Sequence, residues 1–310
     1  MGRELEVAMK IVLAGGAGSL GRRIAADLAS RGDEVVILTR SPQSALPYRQ
    51  VEWDGVTVGP WAVELEGAAI VNLAGALVDR RPTPANIELL KQSRVEPIRA
   101  LATAARTLTT PPTVWVQAST LAIYGDAGEA ILDESSPPAD GPSQMAGVAR
   151  AWEAAANEVS AGRQVVMRTG IVLDRDTPAM NRLTGLVRWG LGGRTASGRQ
   201  WVSWIHVTDF LAVVHRALED DSLSGVVHVT SPNPVRNAEL MATLRKVLHR
   251  PPALPTPATL VRMGGVILRT DPALALTGRR CVPTRLLNAG FVFAYPELGE
   301  ALAELLAHQA

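Results

Sequence analysis

Residues 10–23 read "KIVLAGGAGSLGRR". A short unbroken apolar run, Ile11 to Ala14, ends on glycines, and a helical pattern follows from about Leu20 to Arg31. Such a run is the mark of a strand buried on both faces that passes through a turn into a helix. Gly15, Gly18 and Gly21 stand three apart across that turn. Glycine lets a backbone turn tightly and approach a pyrophosphate, whose charge is received by the helix N-terminus. With Ser19 and Leu20 at the helix mouth, the unit predicts a dinucleotide site. A turn whose glycines merely pack helix on strand is the alternative.

Working outward, "EVVILTR" (34–40), "AAIVNLAGA" (68–76), "TVWVQAST" (113–120) and "QVVMRTGIVL" (164–173) are further buried strands. The helical segments "ANIELLKQSRVEPIRALATAAR" (85–106) and "AWEAAANEVSA" (151–161) separate the later ones. This rhythm predicts an α/β fold, a Rossmann-type doubly wound parallel sheet with ligands at the carboxyl ends of its strands. After Leu173 the rhythm breaks into "LVRWGLGGRTASGRQWVSWIHVTDF" (186–210). Further on come a helix capped at Asn237, the stiff connector "PPALPTPATL" (251–260) and an amphipathic helix, "ELGEALAELLAHQ" (297–309). The expected division is a dinucleotide-binding domain at 9–174 and 201–230, with a smaller C-terminal substrate lobe at 175–200 and 231–308.

Charges nearly cancel, 31 basic against 30 acidic, so the total favours neither nucleic acid nor a membrane as partner. Lysine is confined to Lys10, Lys91 and Lys246, which leaves few candidates for a catalytic lysine. Cys281 stands alone and excludes an internal disulfide; His215, His228, His249 and His308 show no metal-ligand spacing. No apolar run reaches the roughly 18 to 20 residues that span a bilayer. The first residues lack the apolar centre of a signal peptide and read as a loose extension. A cytoplasmic protein is the expectation.

The second strand supplies a cofactor preference. Sites for NAD end this strand with an acid that holds the adenosine ribose. Here it ends on Thr39 and Arg40, and a guanidinium pairs with a 2′-phosphate and stacks on adenine. Arg22 and Arg23 add positive charge nearby. NADP(H) is therefore expected over NAD; an Arg40 that is only solvated surface is the alternative.

These motifs, with "NLAGA" (72–76), "STLAIYG" (119–125), "WEAAA" (152–156), "RTGIVL" (168–173), "SGRQWVSWIH" (197–206) and "SPNPV" (231–235), carry a family resemblance. From Lys10 to about Leu306 the chain resembles the extended short-chain dehydrogenase/reductases. Within them it is similar to an atypical epimerase-like, NADP-binding branch, often described as nucleoside-diphosphate-sugar epimerases. The resemblance implies that Leu73, Ala74 and Gly75 pass beneath the adenosine half of the cofactor. It implies that Thr120 hydrogen-bonds the substrate oxygen, with Ser119 beside it on the cofactor side. Arg168, ending a strand near the nicotinamide, is a further candidate contact. So is Arg94, which occupies a place where related reductases often have Asn.

Active reductases of this kind add a Tyr and a Lys four apart on the next helix, a phenol with a tuned pKa for acid-base work. Registered on Glu153, those positions fall at Met145 and Ala149, and neither transfers a proton. Tyr48, Tyr124 and Tyr295 are followed four residues later by Glu52, Gly128 and Gly299. The usual mechanism is thus not available. Tyr124 is the nearest substitute, either as a proton donor or as a packed aromatic; without a lysine its pKa would stay near 10. Glu153 and Trp152 read as helix anchors. The arginine that grips a diphosphate in nucleotide-sugar enzymes falls at Val202, so specific support for that substrate is lost.

Trp189, Trp201 and Trp204 crowd one segment, with Gln200, Ser203 and His206 between them. Alternation puts Trp204 and His206 on one face, and Trp201 and Ser203 on the other. The expectation is a small-molecule pocket with Trp201, Ser203 and Trp204 as substrate contacts and His206 as a proton-transfer residue. Core tryptophans and a satisfied histidine are the competing reading. The function expected is an NADP(H)-dependent oxidoreductase or epimerase-like enzyme on an unknown small substrate. The alternative is a silent NADP(H)-binding redox sensor or regulatory protein, with a link to cell division through some relatives. The segments 85–106 and 146–159 are candidates for a homodimer contact.

Overall fold

The computed structural model describes residues 8–175 and 177–307; the expected N-terminal extension and His308 lie outside them. Strand β1 (Lys10–Ala14) feeds helix α1 (Ser19–Ser30), and β2 (Glu34–Thr39), β3 (Arg49–Glu52) and β4 (Ala69–Asn72) follow. Helix α2 (Pro84–Ala105) begins where Thr83 accepts from the Asn86 amide and Pro84 takes the first turn. Then come β5 (Val114–Thr120), β6 (Ile131–Leu132), α3 (Val148–Ala156), β7 (Arg163–Thr169) and β8 (Ile171–Leu173). The remainder is α4 (Pro178–Arg188), β9 (Trp201–Val202), β10 (Trp204–His206), α5 (Val207–Glu219), β11 (Gly225–Val229), β12 (Val235–Arg236) and α6 (Asn237–Val247). The chain closes with α7 (Ala258–Leu268), α8 (Ala273–Leu276), β13 (Arg280–Cys281), α9 (Thr284–Asn288) and α10 (Leu298–Leu306).

Seven strands form one parallel sheet in the order β11-β7-β5-β4-β1-β2-β3. The order reverses beside β1, so the crevice between β1 and β4 opens at their carboxyl ends, where ligands bind in doubly wound sheets. Alternate residues of each strand feed two cores. Ile11, Leu13 and Val116 pack with Ile24 of α1 and Phe210 of α5, whereas Val12, Ile70 and Trp115 pack with Ile98 of α2 and Trp152 of α3. A third cluster, with Met180, Trp204, Leu240, Leu244 and Leu302, joins α4, α6 and α10 of the expected smaller lobe to β10, which the expected division gave to the dinucleotide-binding domain. Each such fully buried side chain contributes about 1.5–3 kcal/mol. Helices α2 and α3 pack on each other, and the outer positions Glu88, Gln92 and Arg99 of α2 are exposed.

The loop after β4 is tied across to the smaller lobe. Asp79 meets Arg182 of α4 and the hydroxyl of Thr270, and Arg81 donates to the Val266 carbonyl of α7. The Arg182 guanidinium holds the Asp79 carboxyl below its usual range. Among the described residues, no helix is long and apolar enough to cross a membrane.

At the β1–α1 turn two glycines are required for different reasons. Gly15 has φ +78°, a left-handed conformation, and a Cβ there would stand 3.0 Å from the Ala74 backbone. A Cβ on Gly21 would stand 2.6 Å from the Gly16 Cα, so the helix is seated directly on the turn. Gly18 has φ −71°, and a Cβ there would meet only the Gly15 carbonyl oxygen, at 3.6 Å. Gly21→Ala is therefore expected to lower stability by about 1–3 kcal/mol, read as a lower urea midpoint. Gly18→Ala should leave the midpoint unchanged; equal losses in both would refute the packing account.

Candidate cofactor and active site

Helix α1 opens at Gly18 with no side-chain cap and no acidic residue in its first turn. The first amides of a helix have no partner within it, so the Ser19–Gly21 amides face the crevice as a ready anion site. Gly18 leaves open the space a side chain would fill over that mouth. This arrangement fits a dinucleotide pyrophosphate. On the β4 side, Asn72 bonds Gln117 through Nδ2 (3.0 Å) and accepts from the Ala74 amide through Oδ1 (3.1 Å). That clamp turns Leu73–Gly75 against the glycine turn, and Gly15 and Ala74 meet backbone to backbone. The Asn72–Gln117 pair was not foreseen; two polar residues at equivalent places on neighbouring buried strands were its signal.

Arg94 braces the same loop from beneath. Its guanidinium donates to the carbonyls of Leu90 and Ala76, each at 3.0 Å, and lies 4.9 Å from the Trp152 ring. Burial pulls its pKa down to about 10. At the end of β2, Thr39 is buried and exchanges hydrogen bonds with Ser41, while Arg40 is exposed. Arg40 borders an open cleft of about 520 Å³ with Trp53, Asp54 and Trp61. Arg22 is exposed, whereas Arg23 makes a two-pronged pair with buried Asp174, at 2.8 and 2.9 Å. The expectation that Arg23 adds free charge beside the cofactor is thereby corrected.

Deeper in the crevice, Ser119, Arg168 and His228 lie in one row across β5, β7 and β11. The Ser119 hydroxyl donates to Glu153 Oε1 at 2.5 Å, and Arg168 grips both Glu153 oxygens at 2.9 and 2.8 Å. Arg168 also donates to the Tyr124 phenol oxygen at 2.6 Å. His228 Nδ1 faces the Val282 carbonyl at 3.0 Å, which can only accept, so Nε2 is the acceptor for the Tyr124 hydroxyl at 2.6 Å. Burial pushes the phenol up to about 12 against the opposing pull of Arg168, and pushes the imidazole down to about 4.

Three expectations are corrected by this network. Ser119 and Arg168 are committed to Glu153 rather than to the cofactor, and Tyr124 is 3% exposed with its hydroxyl spent on buried partners. Glu153 is an anchor, as read from the sequence. Ala149 packs in the small cluster of Leu121, Ile123, Tyr124 and Cys281. A lysine there would enter an apolar site, and the cation beside the tyrosine comes from Arg168 instead. Met145 lies in a wider π-helical turn, Ser143–Gly147, that precedes α3. Thr120 ends β5 partly exposed, its oxygen accepting from the Ala122 amide at 3.1 Å.

The tryptophan segment divides. Trp204 is fully buried and donates to the Asn233 carbonyl at 3.0 Å. His206 caps α5, its Nδ1 accepting from the Thr208 amide at 3.2 Å. Its Nε2 therefore donates to Glu304 at 3.0 Å, its ring lies 4.0 Å from that of Tyr295, and burial lowers its pKa. Alternation pairs the two residues as expected, yet their shared face is the smaller lobe's core, not the reactive end. Ser203 is buried, bonded to the Arg279 carbonyl and the Cys281 amide, both at 3.0 Å. Trp201 alone of the three expected contacts is partly exposed. It lies between the guanidinium groups of Arg236 (3.8 Å) and Arg280 (4.5 Å), and its indole N–H donates to Glu129.

Comparison with known proteins agrees with this geometry. Residues 11–229 match the NAD dependent epimerase/dehydratase family, and residues 256–305 match a domain of unknown function, DUF1731. The chain is 34% identical over 306 residues to the epimerase family protein SDR39U1 of Bos taurus, covering 96% of this chain and all of that one. It resembles the crystal structure of human SDR39U1 (isoform 2) with NADPH at a TM-score of 0.86 and 32% identity, over 97% of this chain and 100% of that one. A nucleoside-diphosphate sugar epimerase from Corynebacterium glutamicum gives a TM-score of 0.78 at 30% identity, over 97% of this chain and 58% of that one.

The buried imidazole carries a pH signature. In the fold it protonates only near pH 4, whereas in the unfolded chain it does so near 6.5. Between those values the unfolded chain holds the extra proton. The contribution of His228 is therefore complete above pH 6.5 and is lost as pH falls towards 4. Urea midpoints of the wild type should drop across this window more than those of His228→Gln; parallel profiles would contradict the assignment.

Proposed function

The chain belongs to the NAD dependent epimerase/dehydratase family, and from that premise we propose that it is an NADP(H)-dependent oxidoreductase or epimerase-like enzyme acting on a small substrate. The observation that carries the reading is the uncapped N-terminus of α1 over the Gly15–Gly21 turn, with Arg40 exposed at the end of β2. The NADPH in the structure of the human relative supports the same cofactor. The Ser19–Gly21 amides hold the pyrophosphate, Leu73–Gly75 underlie the adenosine half, and Arg40 receives the 2′-phosphate. When bound, the dinucleotide supplies or accepts a hydride.

The chain's own chemistry then rests on Thr120. Its oxygen already accepts from the Ala122 amide, so its proton is free to be donated to a substrate oxygen at the end of β5. Tyr124 holds its proton to about pH 12 and is buried, and His206 is committed to the smaller lobe. Water entering the crevice exchanges the proton. Trp201, braced by Arg236 and Arg280, offers a flat, partly exposed wall for the far end of the substrate. The second reading, a silent NADP(H)-binding sensor or regulatory protein, is favoured by the burial of Tyr124 among His228 and Arg168, together with the register on Glu153 that puts Met145 and Ala149 in place of the acid-base pair.

Arg40→Ala should weaken NADPH binding about tenfold or more and leave NADH binding little changed, measured by fluorescence titration. Tighter binding of NADH than of NADPH by the wild type would reverse the cofactor assignment. Against a panel of small carbonyl substrates, Thr120→Val should lower kcat about 100-fold without altering NADPH affinity. Tight NADPH binding with no turnover across the panel would select the sensor.

A further inference from the structure

The near-zero total charge conceals a segregation. Residues 177–208 and 240–270 hold nine arginines and lysines and no acidic residue, so the rest of the chain carries 22 basic against 30 acidic residues. The two stretches meet in space. The Thr256 amide donates to the Arg194 carbonyl at 2.9 Å, Ala196 donates to Thr256 at 2.8 Å, and Arg245 reaches the Gly192 carbonyl.

Apolar side chains project from the same region. Trp189 is 85% exposed and Leu254 88%, with Leu191 beside them. Helix α7 is mounted inside out. It packs through Gly265, whose Cβ would lie 2.7 Å from the Pro272 ring, and it turns Leu260, Met263 and Ile267 outward on one face at i, i+3 and i+7. An amphipathic helix in a folded lobe ordinarily does the reverse. Arg250, Arg262 and Arg269 are exposed around this face.

We propose that this face of the smaller lobe docks on the surface of an anionic lipid bilayer. Projecting indole and aliphatic side chains enter the boundary between headgroups and acyl chains, and the arginines keep their guanidinium groups among the phosphates while their stems lie along the apolar layer. Two features favour a bilayer over a second copy of the chain. Each anchor projects with more than half of its surface exposed. A twofold contact would also set the exposed Arg250, Arg262 and Arg269 of one copy against those of the other.

The test is co-sedimentation of the full chain with vesicles of phosphatidylcholine alone or containing about one third phosphatidylglycerol. Binding is expected to the anionic vesicles only, and to weaken as salt rises. Trp189→Ala with Ile267→Ser, and separately Arg250→Glu with Arg262→Glu, should each reduce it about tenfold or more. Because these side chains are exposed, the melting temperature of both variants should stay that of the wild type. No sedimentation with anionic vesicles at low salt, or undiminished binding by both folded variants, would overturn the proposal. So would a wild-type dimer in solution that the substitutions convert to monomer, which would assign the face to a second copy.

Discussion

Arg168 is buried near the carboxyl end of β7, one strand in from the sheet's edge, and its two-pronged grip on Glu153 organises what surrounds it. A guanidinium in that position needs a carboxylate, since an unpaired buried charge costs several kcal/mol. Meeting that need fixes α3 against β7 and draws Ser119 to the same carboxylate. It also leaves one guanidinium nitrogen for the Tyr124 phenol, whose own proton then goes to His228. The active-site edge is therefore a closed polar circuit in which every strong donor has an acceptor.

That circuit takes the Tyr124 hydroxyl out of reach of the crevice. A tyrosine beside a cation is the usual recipe for a proton-transfer phenol, and here both are present. They are turned towards each other under a protein layer, where burial raises the phenol's pKa by more than the cation lowers it. The tyrosine has become part of the frame. What stays accessible at the end of β5 is the hydroxyl of Thr120, a donor of modest acidity.

The sheet and the glycine turn were legible because they rest on short-range patterns: an apolar run, three glycines at fixed spacing, and an Arg where an acid is otherwise found. The circuit was not, because Ser119, Glu153, Arg168 and His228 come together only through strand register across more than a hundred residues. Alternation along residues 200–206 grouped Trp204 with His206 as the structure does. Periodicity tells which residues share a face and not what that face meets, and here it met the core of the smaller lobe. Likewise the charge total was read correctly, but a sum carries no information about where its terms lie.

The ties from the loop after β4 have a consequence for the crevice wall. Asp79 and Arg81 fasten the crevice wall to α4, to Thr270 and to the α7 backbone through one ion pair and two further hydrogen bonds. Since Arg182 keeps the Asp79 carboxylate ionised below its usual range, acidification does not readily spring the latch. The crevice wall is thus held in place partly by side chains distant from the glycine turn, through an ion pair that added electrolyte screens.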